Sequence, residues 1–89
     1  MTDRIEIAAC TQERHEGEVA GIIQLTKSQA SKADFWGVYL RRDEGDMGHL
    51  LTHIMDRPTK EEALCEAIEI AKQISVSIWD ATNLQTISS

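Results

Sequence analysis

A chain of 89 residues, 42% hydrophobic and 27% charged, has the make-up of one globular domain with a single two-layer core and no room for a second. Its formal charge of −6 weighs against direct nucleic-acid binding, which needs a basic footprint; the basic pair Arg41-Arg42 is followed at once by Asp43, Glu44 and Asp46. No apolar run of about 18 residues offers a membrane span, and residues 1–6 carry charges where a signal peptide needs an apolar stretch, so a cytoplasmic protein is expected. Cys10 and Cys65 are too few for a disulfide framework, which suits a reducing compartment.

In chain order, residues 4–11 alternate as a strand with Ile5, Ile7 and Ala9 on one face. His15-Glu16-Gly17-Glu18 is a turn signal, and residues 19–26 read as a second strand with Val19, Ile23 and Leu25 inward. The small polar residues over 28–34 read as a loop. A third strand over 35–42 alternates Trp36, Val38 and Leu40 with Phe35, Tyr39 and Arg41; Asp43-Glu44-Gly45-Asp46 closes a hairpin and residues 48–55 return.

Pro58 then fixes the entry to a helix that runs to about Ile74. Thr59 and Glu62 have the spacing of a capping box, with Glu61 and Glu62 at the positive end of the helix dipole and Lys72 near the other end. Ala63, Leu64, Ala67, Ile68, Ile70, Ala71 and Ile74 share one side, an alanine-rich stripe suited to close packing on a sheet. Cys65 falls among the glutamates, where it should be accessible but poorly activated. Residues 76–80 form a short strand, Asp80-Ala81-Thr82-Asn83 turns through side-chain bonds to the local backbone, and residues 84–87 add a sheet edge. The fold class is α+β over residues 1–89: a two-layer sandwich of an antiparallel β-meander of about four strands, one amphipathic helix on one face, and a short C-terminal strand. One sheet face is left without a covering layer.

The residue pattern offers little chemistry. His49 and His53 share a strand face but stand roughly 13 Å apart, too far for one metal ion, and His15 lies in the first turn. The carboxylates fall in turns and on the outer face of the helix, and no nucleophile elbow, P-loop or dinucleotide fingerprint is present. No catalytic residue, cofactor or metal ligand is assigned, and a non-enzymatic protein is expected. What remains is binding. Phe35, Tyr39, His49, Leu51, His53 and Met55 collect on the face opposite Trp36, Val38, Leu40, Leu50 and Ile54, and a one-residue register slip would exchange the two sets. Trp79, alternating with Val76 and Ile78, joins the outer set. The candidate protein-binding residues are Phe35, Tyr39, His49, His53 and Trp79, with Glu44 and Asp46 in the adjoining turn.

From Gly37 onward the hairpin leads into Thr59-x-Glu61-Glu62-Ala63, followed by Ile78, Asp80 and Ile87. This order resembles the HicB-type antitoxin domain, and also a small single-domain bacterial family of unknown function. The resemblance implies a hairpin-plus-helix fold and brings no catalytic residue; the DNA-binding segment that usually follows a HicB-type domain is not expected here. Two functional expectations result. One is an acidic interaction domain that occupies the basic surface of a nucleic-acid-handling protein, similar in size and charge to phage or mobile-element inhibitors such as anti-CRISPR proteins. The alternative is a homodimeric structural or antitoxin-like protein of HicB type, paired through its terminal strand and uncovered sheet face.

Overall fold

The computed structural model describes residues 3–87, except for the side chains of His15, Val19 and Ala20. Strands β1 (Arg4–His15) and β2 (Glu18–Gln24) form a hairpin; a 3₁₀ turn over Lys27–Lys32 leads to β3 (Phe35–Asp43). A second 3₁₀ turn, Gly45–Met47, leads to β4 (His49–Arg57), helix α1 (Lys60–Ile74), β5 (Ser77–Asp80) and β6 (Gln85–Ile87). The α+β class, with one helix on a sheet and short strands after it, is the one expected. The six strands form a mixed sheet in the order β4-β3-β1-β5-β6, with β2 also paired to β1.

The strand order departs from a simple meander. β3 pairs with β1, not with β2. Cys10 stands opposite both Gln24 and Phe35, so β2 and β3 flank β1 on opposite sides. The expected loop after β2 is the reason. Its Ala30 and Ala33 pack on the core as it crosses over β1, and it is pinned by Leu25 N–H donating to Ala9 O (2.7 Å) and Asp34 N–H donating to Cys10 O (2.9 Å). The second departure is the parallel pairing of β5 with β1. Parallel strands need a crossover of a dozen or more residues, and α1 supplies it by linking the outer strand β4 to β5 across β3 and β1.

On the covered face, Ile5, Ile7, Ala9, Trp36, Val38 and Ile78 meet Ala63, Ala67 and Ala71 of α1. The alanine stripe brings the helix close, as its spacing implies. Each fully buried Ile or Val contributes roughly 1.5–3 kcal/mol relative to exposure. Thr59 Oγ1 accepts from Glu62 N–H at 3.2 Å, so the threonine half of the capping box is formed. Cys65 is exposed, as expected. Of the inward set expected on β2, Leu25 is buried and Ile23 is 43% exposed, because β2 extends beyond the reach of α1; the Val19 side chain lies outside the described residues. Among the described residues no helix is long and apolar enough to cross a membrane.

Candidate functional site

Alternation along β1 sends Ile5, Ile7 and Ala9 to the helix and leaves Arg4, Glu6, Ala8 and Cys10 on the other face. Directly paired residues share a face, so Phe35, Gly37, Tyr39 and Arg41 lie beside them on β3, Leu51 and His53 on β4, Gln24 and Ile22 on β2, and Trp79 on β5. Of the two sets separated in the sequence, Trp36, Val38 and Leu40 meet the helix. The open face therefore holds Phe35, Tyr39, His49, His53 and Trp79. Met55 corrects the expectation: a bulge between Val38 and Tyr39 sets it opposite Val38, where it packs on the helix-side core. Glu44 and Asp46 are exposed in the turn that carries Asp43 into His49, at one end of this face.

The centre of the face is built around Tyr39. Its ring lies over Gly37, where an added Cβ would stand 2.5 Å from Tyr39 Oη and 2.7 Å from a ring carbon. The hydroxyl reaches Cys10 Sγ at 3.5 Å, and the ring meets His53 with centroids 5.4 Å apart at 58°. His53 Nε2 is 2.8 Å from Asp56 Oδ1. Cys10, Ile22, Gln24, Tyr39, Leu51 and His53 line a shallow groove of about 350 Å³. Burial pushes the Cys10 thiol up, against the smaller opposing effects of Tyr39 and the Gly37 backbone. Burial and the Cys10 contact likewise hold the Tyr39 hydroxyl well above the usual phenol range. Both groups stay protonated near neutrality, which suits a packed hydrogen-bonded pair and not an activated nucleophile.

Toward β5 the face is polar but satisfied. Glu6 is 2% exposed; Arg41 binds it through Nε (2.5 Å) and Nη2 (3.2 Å), and Arg4 Nε lies at 2.9 Å. The Arg4 guanidinium also sits 4.7 Å from the centre of the Trp79 ring. Sequence reasoning passed over Glu6, Cys10, Gly37 and Arg41. The signal for two of them was present, since Glu6 and Cys10 alternate with Ile5, Ile7 and Ala9, but the pairing that adds Arg41 and lays Tyr39 over Gly37 has no local sequence mark. A larger recess of about 770 Å³, lined by Leu25, Lys27, Thr82 and Leu84 among others, lies between the β2 exit and the turn after β5 and is separate from this face. Among the described residues no three His, Cys, Asp or Glu side chains gather as metal ligands would.

In comparison with known proteins, the chain matches no protein-family model, no curated protein and no solved structure. Its function is therefore read from the geometry of the open face.

Proposed function

We propose that this chain is a non-enzymatic protein-interaction domain that docks a partner with a basic surface onto its open sheet face. The observation that carries the reading is the distribution of side chains on that face. Tyr39, His53, Leu51 and Ile22 are gathered at its centre, with Leu51 41% and Ile22 59% exposed. Exposed acids stand at both ends: Glu16 in the β1–β2 turn and Glu18 at the start of β2, and Glu44 and Asp46 in the β3–β4 turn. An aromatic and apolar centre inside a charged rim is the anatomy of a protein interface. The acidic rim and the charge of −6 favour a basic partner. A nucleic-acid-handling protein has such a surface, and occupying it would block its substrate.

The test is capture of a partner from the native host, followed by titration of the purified pair. Ile22→Asp and Leu51→Asp should each weaken binding by at least about tenfold. The pair Glu44→Gln with Asp46→Asn should slow association and flatten its salt dependence. Binding that survives the two apolar changes but is lost on neutralising Glu61, Glu66 and Glu69 would move the interface to the helix and sink the reading.

A further inference from the structure

Strand β4 is nine residues long and lies at the outer edge of the sheet, with β3 on one side and, among the described residues, no strand on the other. Soluble proteins usually blunt such edges with lysine, proline, inward charge or a β-bulge. From Leu50 to Met55, β4 has no lysine, proline or charged residue and carries only the bulge at Ile54, and Leu50, Leu51 and Ile54 are 48%, 41% and 37% exposed. The free edge is roughly 30 Å long at the usual strand rise. We infer that it pairs antiparallel with β4 of a second copy of this chain, across a two-fold axis through Thr52.

The bulge selects that register. His49, Leu51, His53 and Asp56 stand opposite Asp43, Arg41, Tyr39 and Gly37, and so face the open side; Leu50, Thr52 and Met55 stand opposite Arg42, Leu40 and Val38, and so face the helix side. Antiparallel pairing about an axis normal to the sheet keeps both open faces on the same side, so each residue must meet one of its own face. With Thr52 on the axis and Ile54 bulged in both copies, Leu51 meets His53, Leu50 meets Met55, and His49 meets Asp56 of the second copy. Apolar side chains meet on the helix side, and an imidazole meets a carboxylate on the open side. The Asp56 carboxylate keeps acceptor capacity for it beside its bond to His53. Moving the axis to His53 sets Leu51 against Asp56 and Leu50 against Arg57, which strands apolar and charged groups together. This self-complementarity is what commits the edge to a second copy and not to a foreign peptide. The charge of −6 on each chain opposes pairing, so added salt should strengthen it. Docking to a basic partner has the opposite salt dependence, which keeps the two proposals separable.

Sedimentation velocity of the full chain across a micromolar-to-millimolar series tests the inference. A dimer is expected, and Leu50→Lys and Ile54→Lys should each raise its dissociation constant at least about tenfold while leaving the circular dichroism spectrum and the melting transition in place. His49→Asp alone should weaken the dimer by setting two carboxylates opposite each other, and His49→Asp combined with Asp56→Lys should restore it. A wild-type monomer at millimolar concentration overturns the inference. So does a dimer that neither lysine disturbs, or a double swap that remains monomeric.

Discussion

Asp80 shows how one side chain ties three elements together. It is fully buried at the end of β5 and accepts from Thr82 N–H (3.0 Å), Asn83 N–H (2.9 Å) and Asn83 Nδ2 (2.7 Å), while Lys60 Nζ at the start of α1 lies at 3.0 Å. Burial acts to raise its pKa, but the Asn83 bonds and the Lys60 charge outweigh it and the net direction is down. A carboxyl whose folded pKa is depressed contributes stability above its unfolded value, near about 4, and loses it as the pH falls through the folded value. Asp80→Ala should therefore cost about 3 kcal/mol at neutral pH, chiefly from the donors left behind. In urea melts at stepped pH, the gap between the two proteins should narrow below about pH 4; a gap that holds constant into acid would show that the charge is irrelevant. Gly37 makes a different point. An alanine there must push the Tyr39 ring aside, at a cost of about 1–3 kcal/mol. The displaced hydroxyl would uncover Cys10, so thiol labelling of Cys10 should rise relative to the already exposed Cys65. Unchanged labelling would mean that the ring and the added methyl fit side by side.

At the level of elements, α1 was the most legible part of the sequence, because its start, stripe and end are all local signals. Thr59 caps the first turn, and Ser75 ends the last one in the left-handed region at φ 56°, ψ 51°. Thr59→Ala should lower stability by about 1 kcal/mol, whereas Ser75→Gly should raise it by up to about 1 kcal/mol by removing a Cβ from a conformation that favours glycine. Paired thermal melts check both signs, and a destabilising Ser75→Gly would show that the hydroxyl matters more than the backbone. The strands were legible as strands for a similar reason, since Ile5, Ile7 and Ala9 on β1 and Trp36, Val38 and Leu40 on β3 alternate cleanly. Their partners were not. Nothing near Leu25 announces that the next segment crosses over β1, and nothing near Met55 announces the bulge that turns it inward while His53 stays outside. Pairing is decided by contacts distant in sequence, such as Asp34 N–H to Cys10 O, and these leave no periodic trace.

Across the whole molecule the consequence is that β1 is the axis of the fold. It pairs with β3 along one side and with β5 and then β2 along the other. In the gap between β5 and β2, the turn after β5 continues the ladder: Ala81 N–H donates to Ile7 O at 2.8 Å, and Thr82 Oγ1 accepts from Ala9 N–H at 2.8 Å. Ile5 through Cys10 are all buried. Opening these amides requires separating strands on both sides and lifting α1, which amounts to unfolding the domain. β2 and β6 are held differently, each paired to one strand, with Ile22 and Ile23 of β2 exposed. Native-state hydrogen exchange should therefore show residues 5–10 exchanging only through global opening, with a denaturant dependence equal to that of the melt. The residues of β2 and β6 should open at lower free energy through local fraying. If the β2 amides proved as protected as those of β1, the hairpin would belong to the cooperative core. Its exposed Ile22 would then sit on a rigid strand, and the groove beside Tyr39 would be a preformed docking surface along its whole length.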